Sequence, residues 1–467
     1  MTFHRASRYT LALAVLALPS LAGAQAFGLN EIGSCALARG FAVTSAPCDD
    51  GSSIYWNPGA SKKTPGLSIM AGAAIIQLHG DFTRDSSFRR YEADVPTAYV
   101  PHVFINWRSS GKLGLGLGVY VPYGLTSQWP DSFPGRFSAK KASLQTVYVQ
   151  PNLTYQITDN WSIGGGPVIG HSTVELVQAA DLSAQFAAPN ITFGMLGVQK
   201  YTEFARATLK GSAMAYGINL GIHGKLNKDW EMGARFLSQL SFAYDDADAT
   251  FVQTPTGLVL AAGNIFGPGN TALPANTPVD LLVASQFTGS GALTPQKVKT
   301  AIRHPAQVQV GFGYSGFEHM TLSADYAYVG WKSFANLPVD FQGGAPDRNL
   351  QEDYNNTSSI RLGAERRFSE GKALRVGFAA AASAAPPETV TPLLPEQDRE
   401  LAMIGGSLPL FGGLGLDAAY SHIFTPGSRG RIDERAAGST TAQALALNSG
   451  AYTLSANIFS FSLKYVY

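Results

Sequence analysis

The last nine residues, Phe459 to Tyr467 (FSFSLKYVY), put Phe459, Phe461, Leu463, Tyr465 and Tyr467 on one face of an extended chain. Ser460, Ser462, Lys464 and Val466 fall on the other. Successive strand side chains point to opposite faces, so this is a strand with one continuous apolar surface. The same period recurs along the chain. In Leu113–Val121 (LGLGLGVYV) glycine occupies the second face, and Val308, Val310, Phe312 and Tyr314 alternate with glutamine and glycine. A membrane-crossing strand needs roughly 9–11 residues of this kind. Beyond the first residues there is no uncharged apolar run of about 20, the length a membrane helix requires. Apolar content is nevertheless 45%, and only 14% of residues are charged, against about 25% in ordinary globular domains. The net charge of +1 and the lack of a basic run exclude nucleic acid as a partner.

These patterns predict an all-β fold, a transmembrane antiparallel barrel of fourteen strands. They are expected near 66–80, 94–108, 112–122, 143–157, 161–177, 212–225, 230–243, 306–316, 320–333, 357–368, 372–382, 399–410, 413–424 and 451–467. An even number closes the sheet and leaves no unpaired edge in lipid. Connections alternate between short turns, such as Thr158-Asp159-Asn160, and long segments near 123–142, 179–211, 245–304, 335–355, 383–398 and 425–449.

Residues 1–24 read as a secretory signal, with Arg5 and Arg8 ahead of an apolar stretch and Ala22-Gly23-Ala24 as the cleavage pattern. The barrel is expected over 66–467, and residues 25–65 precede it. That segment contains DDGSSIYWNPGA, in which Asn57-Pro58-Gly59 makes a turn. A barrel of this size encloses open space, and a compact segment ahead of the first strand can fill it as a hatch. Its Cys35 and Cys48 are the only cysteines, and in an exported chain they read as a disulfide. No metal or cofactor site is expected.

The residues resemble the outer-membrane long-chain fatty acid and aromatic-hydrocarbon transport family. The resemblance is carried by FGLNE (27–31), the 50–60 hatch stretch, GVYVPYGLTSQW (118–129), NLTYQITDNWSIGGG (152–166), DYAYVGWKSF (325–334) and DAAYSHIF (417–424). It implies a monomeric barrel, folded by the barrel-assembly machinery, that passively takes up hydrophobic small molecules. Extracellular loops capture the substrate, the lumen binds it, and it leaves sideways into outer-membrane lipid at a kink of the third strand. For the kink the residues are Pro122, Tyr123 and Gly124; Pro122 cannot donate to a ladder, so pairing is interrupted nearby. Capture is assigned to Trp129, Phe133, Phe137, Phe193, Met195 and Leu196. Phe27, Tyr55, Trp56, Asn57 and Pro58 are assigned to substrate from the hatch.

Two departures concern chemistry. Gly59 stands where the family has alanine, which keeps the turn. Fatty-acid members carry a basic residue late in the fifth strand, whereas Gly170–Leu182 (GHSTVELVQAADL) has none. This leaves room for neutral hydrocarbons, with Arg375 or Lys464 as the alternative headgroup ligands. A general diffusion porin is the competing reading. No histidine sits in a nucleophile motif, so an enzyme is not expected.

Overall fold

The computed structural model describes residues 26–60, 66–109, 111–188, 191–264, 266–267, 269, 271–386, 389–430 and 448–467. The signal-peptide reading of 1–24 lies outside them, as do residues 61–65.

Sixteen strand segments build the wall: β1 (Gly66–Arg84), β2 (Ala98–Arg108), β3 (Leu113–Gln128), β4 (Lys141–Gln156), β5 (Trp161–Asp181), β6 (Glu203–Lys225), β7 (Trp230–Leu237), β8 (Leu240–Gln253), β9 (Gln296–His304), β10 (Gln307–Phe317), β11 (Met320–Val329), β12 (Thr357–Arg367), β13 (Ala373–Ala381), β14 (Arg399–Pro409), β15 (Leu414–Phe424) and β16 (Gly450–Val466). Both β7 and β8 lie along β6, and β9 and β10 lie along β8 and β7 in turn. Each pair is therefore one stave broken in the middle, the second at Pro305, which lacks an N–H. The result is a closed, fourteen-stave antiparallel barrel. Closure is made by β1 against β16, in register from Ser68↔Val466 to Arg84↔Gly450.

Alternation sets the two surfaces. Trp107, Ile105 and Val103 of β2, Leu113, Leu115 and Leu117 of β3, and Phe459, Phe461 and Leu463 of β16 are exposed on the outside. Their inward neighbours are small or polar. In water such an outer belt would be an aggregation surface; in lipid it is the solvated face.

Several staves are longer than the alternation implied. The ladder between β5 and β6 continues to Asp181↔Glu203, and β8 and β9 take the two ends, 245–253 and 296–304, of the expected 245–304 loop. Beyond the lipid both faces meet water or other loops, so pairing persists where the hydrophobic pattern fades.

Residues 26–60 lie inside, with two short helices, α1 (Ser34–Ala38) and α2 (Ser53–Trp56). The wall is cut to receive them. At Gly233 of β7 a Cβ would lie 2.1 Å from the Thr44 carbonyl oxygen, and at Gly377 of β13 it would lie 2.0 Å from the Gly40 nitrogen. Inward glycines mark where backbone meets backbone. Cys35 and Cys48 form the expected disulfide.

Candidate functional site

The first described residues of the luminal segment enter a cluster of aromatic rings. The Ala26 nitrogen donates to Glu396 Oε1 at 2.8 Å. Phe27 is buried, with ring centroids 4.7 Å from Trp331, 5.1 Å from Phe334, 5.7 Å from His304 and 5.9 Å from Tyr123. The next residues pair with β3: Leu29 N–H donates to the Pro122 carbonyl at 2.8 Å, and Gly124 N–H to the Phe27 carbonyl at 2.9 Å.

That pairing takes β3 away from its neighbour. The β2–β3 ladder stops at His102↔Tyr120, although β2 continues up to Ala98. On the other side, β3 keeps its pairing with β4 but gains one residue, since Tyr120 faces Tyr148 while Tyr123 faces Thr146. A bulge of this kind re-aims the strand. The wall between β2 and β3 is thus unpaired along Ala98–Pro101. It closes again where Asp94 N–H donates to the Gln128 carbonyl at 2.8 Å.

Leu125, on the part of β3 that has left β2, lines an apolar cavity of roughly 600 Å³, part of it open to solvent. Phe27, Leu125, Leu144, Leu176, Ile302 and Leu337 are among its lining residues. The single charged residue lining it, Glu175, is held by Lys141 at 2.6 Å and Lys210 at 3.2 Å. Among the described residues no cation lines this cavity; Lys141 and Lys210 stand behind Glu175, and each is bonded to its carboxylate.

The residues expected to meet substrate divide. Of the hatch set, Phe27 lines the cavity. Tyr55, Trp56, Asn57 and Pro58 instead fasten the luminal segment: Trp56 Nε1 donates to the Ile32 carbonyl at 2.8 Å, the Arg235 guanidinium lies 4.1 Å from the Tyr55 ring centre, and the Pro58 carbonyl accepts from Thr154 Oγ1 at 2.9 Å. Arg375 is bonded to Glu365 at 2.6 Å and to Asp417 at 3.3 Å, and Lys464 to Asp417 at 3.1 Å. Their charges are compensated within the wall, so they are not free headgroup ligands.

The expected capture aromatics are largely buried. Trp129 stacks on Phe133 at 4.4 Å, Phe137 packs on Tyr201, and Phe193 packs with Leu182, Phe204 and Val283. Leu196 is half-buried and Met195 is 73% exposed. The loops pack on one another, which removes most of this apolar surface from water. Leu125, Leu144, Ile302, Leu337, Leu393 and Leu394 were not anticipated, because they come together from separate elements. The inward parity of Leu144 and Leu176 is the one sequence signal that could have found them.

Near this end Glu352 is buried, and desolvation with the neighbouring Asp353 charge pushes its carboxyl up to about 8. The folded value lies above the ordinary 4.5, so folding takes up a proton. The associated stability is complete below the ordinary value and is lost as pH rises toward 8. The Glu352 and Asp353 amides both donate to the Ala335 carbonyl at 2.9 Å. Their hydrogen exchange, corrected for intrinsic rate, is expected to be faster at pH 9 than at pH 6, and Glu352→Gln should flatten that difference. Equal protection at both pH values in the unaltered protein would refute it.

A family model described as "Outer membrane protein transport protein (OMPP1/FadL/TodX)" matches residues 15–467. The chain belongs to this family. Among curated OMPP1/FadL/TodX relatives, a long-chain fatty acid transport protein of Escherichia coli O6:H1 is 24% identical over 84% of this chain and 85% of its own length. Outer membrane protein P1 of Haemophilus influenzae is 24% identical over 88% and 89%. Among solved structures, a Pseudomonas aeruginosa FadL homologue superposes with a TM-score of 0.78 at 18% identity, covering 94% of this chain and 99% of that one. The Ralstonia pickettii toluene transporter TbuX gives 0.61 at 16%, covering 94% and 99%. The protein is an outer-membrane β-barrel of a family of hydrophobic-compound transporters; the family's members are transporters and channels.

Proposed function

We propose that this barrel takes up uncharged hydrophobic small molecules passively and releases them sideways, through the unpaired stretch between β2 and β3, into the outer membrane. One observation carries this reading: the apolar cavity is lined by Leu125, from the part of β3 that has left β2, and by Phe27, whose carbonyl accepts from Gly124 of that same part. A molecule moving from cavity to lipid by that path would never meet bulk water. Residues 26–60 act as the hatch beneath it, which argues against a general porin. The OMPP1/FadL/TodX relatives include both fatty-acid and toluene transporters by name, and the cation-free lining favours the neutral class. Loop capture rests on Met195 and Leu196, the apolar capture residues that remain accessible.

The test is ligand identity followed by cavity filling. Protein purified from its native membrane in mild detergent is expected to carry neutral hydrophobic compounds detectable by mass spectrometry. Leu337→Trp, which places an indole in the cavity, should weaken toluene binding by about tenfold or more, given the apolar contact it displaces. Long-chain fatty acids as the sole co-purifying species, with toluene binding unchanged in Leu337→Trp, would overturn the assignment.

A further inference from the structure

The barrel wall has a second interruption, on the far side of the apolar cavity. Along β6 the ladder with β7 ends at Asn219↔Leu237, and the ladder with β8 begins only at Lys210↔Asp248. Just past the first of these, the Ser238 N–H donates to the Ile218 carbonyl and Ser238 Oγ accepts from the Ile218 N–H, both at 2.9 Å. Gly211–Gly217 of β6 and Leu240–Ala247 of β8 then run without ladder pairs between them. On their other sides β6 keeps its ladder with β5, and β8 gains one residue against β9, since Tyr244 faces Thr300 while Ala247 faces Val298. The β2–β3 seam has the same construction, a strand that leaves one neighbour and bulges against the other.

Backbone without a ladder is tolerated at membrane depth only where it lines a passage or is covered by protein. Side chains cover it here. The inner face of β6 along the seam is Gly211, Ala213, Ala215 and Gly217, and the buried Leu240, Phe242 and Tyr244 of β8 lie across it. A Cβ at Gly217 would stand 2.4 Å from Leu240 Cδ1, one at Gly211 3.3 Å from Tyr244 Cδ1, and one at Gly170 of β5 2.7 Å from Phe242 Cζ. Tyr244 Oη donates to Ser172 Oγ of β5 at 2.8 Å, so this side chain reaches past β6 and is latched on the next stave. The cavity lies directly behind. Leu209, two residues beyond Gly211 on the same face, lines it, and so do Thr300 and Ile302, the cross-strand partners of Tyr244 and Phe242. On the outside Met214 and Tyr216 are exposed at the end of the apolar belt of β6, with Lys210 beyond them.

We propose that the β6–β8 seam is a second lateral passage from the apolar cavity to outer-membrane lipid, taken by uncharged hydrophobic molecules and held shut by the Tyr244–Ser172 bond. It rests on the reading of that cavity as the transport site. Opening it breaks no ladder: rotation of Tyr244 and Phe242 off the glycine and alanine face clears the space, because that face carries no bulk of its own. The β2–β3 seam is bordered by the luminal segment through Phe27 and Leu29. Among the described residues no hydrogen bond joins either edge of the β6–β8 seam to residues 26–60, so this passage opens independently of the hatch.

The experiment follows toluene uptake into liposomes by the full chain with Pro122 deleted, a change that closes the β2–β3 seam. In that background Tyr244→Phe removes the latch and keeps the ring, and uptake should rise by about two- to tenfold, the factor that one hydrogen bond supplies. Ser172→Ala removes the same bond from the other side, along with the 2.9 Å contact to Thr146, and should act alike. Both changes together should do no more than either alone, because they share one interaction. Ion conductance in planar bilayers should stay at the level of the Pro122-deleted chain, since the luminal segment is untouched. Retention of heat-modifiable mobility on gels verifies that each variant barrel is folded. Uptake that falls on deletion of Pro122 and is raised by neither folded variant would overturn this passage and leave release at the β2–β3 seam standing. A rise in uptake matched by a rise in conductance would overturn it too, as a leak through the lumen. Uptake undiminished by the deletion but raised by Tyr244→Phe would sink release at the β2–β3 seam and leave this passage in place. Uptake that responds to neither change would overturn both.

Discussion

Asn57→Ala is expected to detach the luminal segment from the wall without unfolding the barrel. Asn57 is fully buried, and its side chain makes three bonds that no other residue replaces. Nδ2 donates to the Thr44 carbonyl at 2.7 Å and to the Ile222 carbonyl of β6 at 2.9 Å, while Oδ1 accepts from the Gly59 N–H at 3.0 Å. The first bond joins two stretches of the luminal segment, the second joins it to the wall, and the third holds the turn at Asn57-Pro58-Gly59. Truncation leaves the buried Thr44 carbonyl and Gly59 N–H without these partners, at about 1–3 kcal/mol each, while Ile222 keeps its place in the ladders on both sides of β6. A loss on the order of 2–6 kcal/mol is large for a segment with two short helices and little core of its own. Amide exchange at Gly59 and neighbouring luminal residues should accelerate by at least about thirtyfold, with the β1–β16 ladder unaffected. Ion conductance in planar bilayers should rise as the lumen opens. Asn57→Asp is the sharper control: it keeps the acceptor for Gly59 but loses both donations and adds a buried charge, so it should be at least as disruptive. Unchanged exchange in Asn57→Ala would mean that contacts other than those of Asn57 hold the luminal segment.

The role of Asn57 was half legible. The turn chemistry of Asn57-Pro58-Gly59 announced a compact element, and an Asn before proline is a recognisable turn signal. What it fastens could not be read, because Thr44 and Ile222 are remote in sequence. The barrel itself was legible for a physical reason: lipid on one side and a small-residue interior on the other impose a strict period of two, as in Leu113–Val121. Where lipid ends, the constraint ends. Residues 203–211 of β6 (EFARATLKG) keep their ladder with β5 but lose the apolar outer face, so they read as loop. Parity correctly placed Arg375 and Lys464 inside, yet it carries no information on partners, and Asp417 takes part of both charges. The capture aromatics failed for the opposite reason. Trp129 and Phe133 look exposed in a polar connection, but they stack on each other and pack against Tyr452 and Phe82. The apolar cavity draws on β3, β4, β5, β6, β9 and two loops. No local pattern assembles it.

Deleting Pro122 is expected to close the wall and abolish uptake. The register supplies the argument. Three steps of β3, from Tyr120 to Tyr123, face two steps of β4, from Tyr148 to Thr146, so β3 carries one surplus residue at Val121-Pro122. Removing Pro122 leaves Val121 opposite Val147, and the alternation becomes continuous: Tyr120 inward, Val121 outward, Tyr123 inward. It also removes the one residue of that stretch unable to donate to a ladder. β3 can then run on beside β2, pairing along Ala98–Pro101 on the side away from β1, which already pairs with those residues. Each new backbone bond contributes about 0.5–1.5 kcal/mol, and more in lipid, where the alternative is an unsatisfied group. Against this stands the loss of the two bonds that hold β3 to Phe27 and Leu29. The balance favours the zipped wall because its bonds are the more numerous and face hydrocarbon. Initial uptake of toluene into intact cells or liposomes should fall by at least about tenfold, a barrier increase of roughly 1.4 kcal/mol or more. Toluene binding to the purified protein should change much less, since most of the cavity lining lies outside β3. That split separates exit from recognition. Uptake undiminished by the deletion, in a barrel that still shows heat-modifiable mobility, would mean that substrate leaves by a path other than the β2–β3 seam.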